Sequence, residues 1–244
     1  MRFLGVIPAR YGSTRLPAKP LLNISGRPLL EWVIRGAQQS EKLTELIVAT
    51  DHGEIAALAE KLGVQAIMTA SELPSGSDRV WAAAQERDAD VILNIQGDEP
   101  LLQGKWIDQL IEPFFSEPDL KMATIAHAIH PSELNELSVV KVILNQNSEG
   151  IYFSRHAIPY TRQTFEESPH LCLKHIGLYA YKKAFLKKFC QTAPTALERA
   201  ESLEQLRAIY LGEKIKVMPI DALSIGVDTP DDVKAVSKIL VGKI

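Results

Sequence analysis

Arg10, Arg15 and Lys19 fall within the short segment Pro8-Ala9-Arg10-Tyr11-Gly12-Ser13-Thr14-Arg15-Leu16-Pro17-Ala18-Lys19-Pro20, and residues 1–30 contain no Asp or Glu. Cations in a loop that also carries Gly12 and Ser13 can hold a polyphosphate: Arg in a bidentate fork, Lys as a point charge, backbone N–H and hydroxyl groups against the remaining oxygens. The segment matches neither G-x-G-x-x-G nor G-x-x-x-x-G-K-[ST]. A solvated surface loop is the plainer alternative, but clustered cations with no carboxylate to balance them argue for an anionic ligand. Asp98 ends the apolar run Val91–Gln96 in Gly97-Asp98-Glu99-Pro100. A carboxylate there suits Mg²⁺ beside phosphates, although Gly-Asp also makes ordinary turns. In Gly226-Val227-Asp228-Thr229-Pro230-Asp231-Asp232 a helix start accounts for Thr229, Asp231 and Asp232, and leaves Asp228 as a second metal candidate. Pro74-Ser75-Gly76-Ser77-Asp78-Arg79 reads as a helix start capped by Ser77 or Asp78, with Ser75 and Gly76 small enough for a nucleoside to lean on.

These residues need elements to position them. Strands are expected at Phe3–Pro8, Glu45–Thr50, Gln65–Met68 and Val91–Gln96. Helices are expected near Leu29–Gln39, Gly53–Leu62, Asp78–Glu86 and Lys105–Phe114. This β-α-β-α alternation predicts an α/β fold: a mostly parallel sheet with helices on both faces and ligands beyond the carboxyl ends of its strands. The loops to watch are then Ala9–Pro20, Asp51 and Gly97–Pro100. The back half changes character, with strands at Lys121–Ile129, Ser138–Leu144, Ile151–Ser154, Leu173–Tyr181 and Ile215–Ile220. A helix is expected over Ala196–Leu211 and another from Pro230, and residues 155–172 read as a long loop. A single domain with an inserted or appended lobe is the simplest organisation.

Composition narrows the functional classes. The 244 residues are 46% hydrophobic, enough for a large core, and the net charge of −3 makes the basic loop a local feature rather than the footprint of a nucleic-acid binder. Cys172 and Cys190 are the only cysteines, which argues against a disulfide framework or a structural zinc site. Phe3–Ile7 is too short for a signal core and no apolar run could span a bilayer, so a soluble cytoplasmic protein is expected.

Several further residues stand out in the back half: Phe153-Ser154-Arg155, Arg162, the strand Lys174-His175-Ile176-Gly177-Leu178-Tyr179, and Leu203-Glu204-Gln205-Leu206-Arg207. On period-2 geometry His175, Gly177 and Tyr179 share a face, where packing is the ordinary explanation; the last segment reads as plain amphipathic helix. With all of these in view, the chain resembles the 3-deoxy-manno-octulosonate (Kdo) cytidylyltransferases, or CMP-Kdo synthetases. The matching pieces run nearly end to end: IPARYGSTRLPAKPL, IVATDH, SGSDR, NIQGDEP, VKV, YFSR, HIGLYAY, LEQLR, GEKI and GVDTP.

The resemblance implies a nucleotide-diphospho-sugar transferase-like fold with a small lobe for dimer contacts. It also implies a nucleotide-binding half at 1–120 and a sugar-binding and dimerisation half at 121–244 of one domain. The reaction implied joins CTP and an eight-carbon acidic sugar into CMP-sugar and pyrophosphate. Arg10, Ser13, Arg15 and Lys19 would contact the CTP phosphates, and Ser75 and Gly76 would lie by the cytidine. Asp98 and Asp228 would hold Mg²⁺. Gln96, Arg155, Arg162, His175, Tyr179, Glu204 and Gln205 would surround the sugar. A homodimer and a role in lipopolysaccharide synthesis belong to the same expectation. The sequence departs from the family where Ser77-Asp78 replaces the usual Thr-Glu, where Ser224-Ile225 replaces Gly-Thr, and in a shorter stretch from Arg162 to Leu173. A related branch acts on the 8-amino analogue, which is therefore the alternative acceptor. Another acid-sugar nucleotidyltransferase and a non-catalytic nucleotide-binding module are the remaining alternatives.

Overall fold

A computed structural model describes residues 1–12, 16–162, 171–221 and 223–241. Ser13 and Arg15 lie outside the described residues. The chain runs through β1 (Phe3–Ala9), a small hairpin of β2 (Asn23–Ile24) and β3 (Arg27–Pro28), α1 (Leu29–Ala37), β4 (Glu45–Thr50), α2 (Gly53–Lys61), β5 (Gln65–Met68), α3 (Gly76–Ala84), β6 (Val91–Asn94) and α4 (Gly104–Ile111). It continues with α5 (Pro113–Ser116), β7 (Met122–Ala128), β8 (Lys141–Leu144), β9 (Gly150–Ser154), β10 (Leu173–Lys182), α6 (Lys183–Gln191), α7 (Ala196–Glu201), α8 (Leu206–Tyr210), β11 (Ile215–Pro219) and α9 (Pro230–Leu240). Two compact units result: Met1–Asp108 with Leu223–Ile244, and Gln109–Ala222.

In the first unit β1 pairs in parallel with β4 on one side and β6 on the other, and β4 pairs in parallel with β5. The order β6-β1-β4-β5 has a physical consequence. The chain leaves β1 toward β4 and β5, then comes back to place β6 on β1's opposite edge. The ends of β1 and β6 therefore flank a topological switch point, where the connections diverge and leave a crevice. The expected strands are buried runs: Phe3, Leu4, Val6 and Ile7 in β1, and Val91, Ile92 and Leu93 in β6, are all 2% exposed or less. A second apolar cluster joins Ile24, Leu29, Trp32, Leu101, Val227, Val236 and Leu240. Val236 and Leu240 stand one turn apart on α9, so the C-terminal helix is fixed to this unit by a helical stripe.

In the second unit β7 pairs antiparallel with β10 and parallel with β11, and β8 pairs antiparallel with β10 and β9. Three sequence expectations need correction. Ala196–Leu211 is two helices, because Ser202 adopts the left-handed conformation (φ 54°) and ends α7 after Glu201. Leu203 and Leu206 are buried while Leu197 and Tyr210 are exposed, so no single apolar stripe runs the length of this segment. Lys105–Phe114 breaks at Pro113, which starts the separate turn α5. Lys183–Gln191 is a helix that the sequence reading left out, although Phe185, Leu186 and Phe189 form its buried i, i+1, i+4 face. Among the described residues no helix is long and apolar enough to cross a membrane.

Candidate active site

The switch point in the first unit carries a cavity of about 290 Å³ whose lining includes Arg10, Lys19, Ser75, Gly76, Arg79, Gln96, Asp98 and Asp228. Each arrives by a distinct local route. Arg10 is the first residue beyond β1, and its backbone neighbour Tyr11 donates its N–H to Asp51 Oδ1 at 2.9 Å, just beyond β4. The Tyr11 ring stacks on His52, with centroids 3.8 Å apart. The base of the basic loop is thus tied to the next strand's carboxyl end.

Lys19 opens a 3-10 turn, Lys19–Leu21, preceded by Ala18 at φ 50° and followed by the buried Pro20. Asp98 and Asp228 come from loops far apart in sequence that are stitched together by Val227 N–H donating to the Asp98 carbonyl at 2.9 Å. Val227 is itself anchored in the apolar cluster around Trp32. Gly97 matters here, since a Cβ on it would lie 3.0 Å from the Pro8 carbonyl oxygen, so the Asp98 loop and the end of β1 would have to ease apart by a few tenths of an ångström. On the other side Asp232 accepts the backbone N–H groups of Asp228 (3.0 Å) and Thr229 (2.7 Å), while the Thr229 side chain caps α9. The helix start proposed for Thr229 and Asp232 therefore also aims Asp228.

Lys19 Nζ donates to Asp98 Oδ2 at 2.7 Å and to Asp228 Oδ1 at 2.9 Å. Burial works against its charge, but the charges and hydrogen bonds of Asp98 and Asp228 outweigh that and raise its pKa above the ordinary value. Lys19 is a cation here, and it bridges the two expected metal ligands rather than reaching away toward a phosphate.

The helix α3 is capped by Ser75, whose hydroxyl accepts from Asp78 N–H at 3.2 Å; Ser77, one of the two caps expected, is buried instead. Ser75 and Gly76 line the cavity nonetheless. Arg79, which sequence reasoning passed over, is 3% exposed, donates to Thr69 Oγ1 and Asp51 Oδ2, and lines the cavity as well. The signal was present: an Arg one turn into a helix is buried only when an acid receives it, and Asp51 stands directly after a strand. The unusual Ser224 donates to Glu99 Oε2 at 3.0 Å, so that departure from the family pattern is absorbed by the carboxylate next to Asp98.

Gln96, expected beside the sugar, lies in this first-unit cavity. The other sugar-side candidates belong to the second unit. Arg155 is held by its own surroundings: Nε donates to the Glu201 carbonyl (2.8 Å), one terminal nitrogen to the Leu137 carbonyl (3.1 Å), and its backbone N–H to Glu201 Oε2 (2.9 Å). Lys141, buried in β8, donates to the carbonyls of Glu136, Val139 and Arg155 and so fixes the same corner. Arg162 is exposed.

His175 and Tyr179 share a face as expected, with ring centroids 5.3 Å apart, even though a bulge interrupts β10 between Ile176 and Tyr179. The Thr124 hydroxyl sits 3.0 Å from His175 Nε2 and 2.8 Å from the Leu178 carbonyl. A hydroxyl has one proton; given to that carbonyl, it leaves a lone pair to accept from Nε2–H of a neutral imidazole. Burial pushes the His175 pKa down to about 3, which agrees with the neutral ring. Burial, reinforced by the charge of Glu204, likewise raises Tyr179 and keeps its phenol protonated. Glu204 and Gln205 fall in the turn between α7 and α8, not in a continuous helix. Gln205 is 3% exposed and its Nε2 finds no hydrogen-bond partner among the described residues. A buried amide donor left open is a costly arrangement unless something else accepts from it.

Comparison with known proteins identifies the family of this chain. The sequence model of the Cytidylyltransferase family matches residues 4–215. The 3-deoxy-manno-octulosonate cytidylyltransferase of Bdellovibrio bacteriovorus is 52% identical over 242 residues, covering 98% of each chain. That of Fusobacterium nucleatum is 44% identical over 238 residues, covering 97% of this chain and 96% of its own. A solved structure of CMP:2-keto-3-deoxy-manno-octonic acid synthetase complexed with CTP superposes with a TM-score of 0.93 at 38% identity, covering all of both chains. The mixed α/β fold with a mostly parallel sheet is that of this neighbour. The chain belongs to the 3-deoxy-manno-octulosonate cytidylyltransferase family.

Proposed function

We propose that this chain transfers a cytidylyl group from CTP to Kdo, giving CMP-Kdo and pyrophosphate. The observation that carries the reading is the convergence of Arg10, Lys19, Asp98 and Asp228 on one cavity at the sheet's switch point. The relatives above are named 3-deoxy-manno-octulosonate cytidylyltransferases, which supports Kdo rather than its 8-amino analogue as the acceptor.

In the proposed reaction the anomeric hydroxyl oxygen bonds to the α-phosphorus of CTP. The bond from that phosphorus to the β-phosphate oxygen breaks, pyrophosphate departs, and the hydroxyl proton passes to solvent. No protein nucleophile is needed, so positioning and charge stabilisation supply the catalysis. Arg10, with Ser13 and Arg15 close to it in sequence, would grip the phosphates. Ser75 and Gly76 would pack against the cytidine, the Ser75 hydroxyl meanwhile holding α3.

The donor pair Asp98 and Asp228 fits Mg²⁺: both are hard oxygen ligands aimed at one point. Among the described residues no group of three or more His, Cys, Asp or Glu could form a complete cage, so phosphate oxygens and water would fill the shell. Bound there, Mg²⁺ would neutralise phosphate charge and acidify the attacking hydroxyl. In the second unit His175, Tyr179 and Gln205 offer neutral hydrogen-bonding groups for sugar hydroxyls, with Arg155, Arg162 and Glu204 as polar neighbours. No residue is assigned as general base.

A homodimer, a cytoplasmic location and a product used in lipopolysaccharide synthesis complete the proposal. Pyrophosphate release from CTP and Mg²⁺, run in parallel with Kdo and its 8-amino analogue, tests it. Faster release with Kdo is expected. Preference for the amino sugar would keep the chemistry and change the acceptor. CTP binding without pyrophosphate release from either would turn the reading toward a non-catalytic nucleotide-binding module.

A further inference from the structure

The position of Lys19 carries an inference beyond catalysis, one that rests on Asp98 and Asp228 being the metal ligands. Its ammonium contacts Asp98 Oδ2 and Asp228 Oδ1. Mg²⁺ held by this pair needs those carboxylates at close to 2 Å in near-octahedral geometry, which leaves no room for an ammonium between them. Metal and Lys19 are therefore alternatives at one point. The backbone under Lys19 is fixed: Leu21 N–H donates to the Ala18 carbonyl (2.8 Å), Leu22 N–H to the Lys19 carbonyl (3.1 Å), and Pro20 is buried. Relief must come from the side chain swinging, not from the loop unwinding. The same cavity holds Arg10 and the space for a triphosphate, the anion best able to draw the ammonium away.

We propose that Lys19 is a built-in counter-cation that closes the carboxylate pair while no nucleotide is bound, so that metal enters this site only as the triphosphate recruits Lys19. Nucleotide and metal are then coupled through one swinging side chain, and the coupling is reciprocal: metal at the pair frees Lys19 for the phosphates. Without this device two facing carboxylates would attract free divalent cations whether or not substrate was present.

The test is Mn²⁺ titration of the nucleotide-free protein, read by loss of the free-ion electron paramagnetic resonance signal, on wild type, Lys19→Met and the double variant Lys19→Met/Asp98→Asn. Lys19→Met should bind Mn²⁺ at least about tenfold more tightly than wild type, as expected for removing one charge-assisted competitor. The double variant should lose that gain. A Mn²⁺-dependent rise in melting temperature, larger in Lys19→Met than in wild type, gives a second readout and shows that the variant folds. Equal affinity of wild type and Lys19→Met overturns the proposal. In that case Asp98→Asn in the presence of CTP separates the causes. Loss of protein-bound Mn²⁺ there would leave the metal pair standing and remove only the Lys19 gate. Unchanged binding would remove the metal pair as well.

Discussion

His175 makes one consequence of the fold measurable without any substrate. Its ring is enclosed by Phe153 and Tyr179, with centroid distances of 5.1 and 5.3 Å, and its Nε2 meets Thr124. Burial lowers its pKa from 6.5 to about 3. An unfolded chain would take up a proton near pH 6.5 that the folded one refuses, so this residue's contribution is complete above pH 6.5 and drains away as pH falls toward 3. Going from about pH 7.5 to about pH 5, the linkage integral for one such group is about 2 kcal/mol. For a chain of this length that is a fall of roughly 4–8 °C in melting temperature.

Other groups titrate over the same interval, among them His127, whose pKa is lowered by burial and by Lys174. The measurement is therefore a difference. Wild type and His175→Gln, which keeps a polar end for Thr124 and cannot titrate, are melted by calorimetry or denaturant across that pH range. The variant starts less stable at neutral pH but should lose about 2 kcal/mol less on acidification. Parallel stability curves would show that His175 is protonated as easily in the folded as in the unfolded chain, and the neutral, Nε2–H reading would be wrong.

Other expectations can be checked with simple variants. Asp98→Asn should keep the melting temperature near wild type, because Asp228 still receives Lys19, while lowering Mg²⁺-dependent turnover by roughly 10²-fold or more in a pyrophosphate-release assay. Asp51→Ala strands the buried Arg79 and unties Tyr11; it should cost about 3 kcal/mol in denaturant unfolding and raise KM for CTP more than it lowers kcat. Arg207 is buried against Glu198, with Nε donating to Oε2 at 2.9 Å and a second contact to Oε1. Glu198→Ala should therefore destabilise by about 3–5 kcal/mol, seen as an early unfolding midpoint. Thr229→Ala removes the α9 cap together with the hydroxyl's bond to Asp232 Oδ2, and should cost about 1 kcal/mol in denaturant unfolding.

The parallel half of the fold was legible because buried strands such as Phe3–Ala9 and Val91–Asn94 are short apolar runs cut off by polar punctuation, and a run's burial depends mainly on its own composition. The basic loop was legible for a similar reason: Arg10 and Lys19 lie within ten residues of each other and of a strand end. Motifs that match a family end to end also fixed the kind of chemistry to expect. What sequence could not determine depends on pairs brought together across long separations. Nothing local makes Lys19 a bridge between Asp98 and Asp228; that follows from the Val227–Asp98 backbone bond and from Asp232 aiming its neighbour. Arg155 was expected beside the sugar, yet backbone carbonyls from three other residues claim its donors. Ser202 stops the helix expected over Ala196–Leu211, because a left-handed residue is a backbone choice settled by packing on both sides. Periodicity and composition are properties of a segment, and the chain carries them wherever it goes. Charge pairing, burial of a single imidazole and the direction of one ammonium depend on which segments share a volume, and only the tertiary structure decides that.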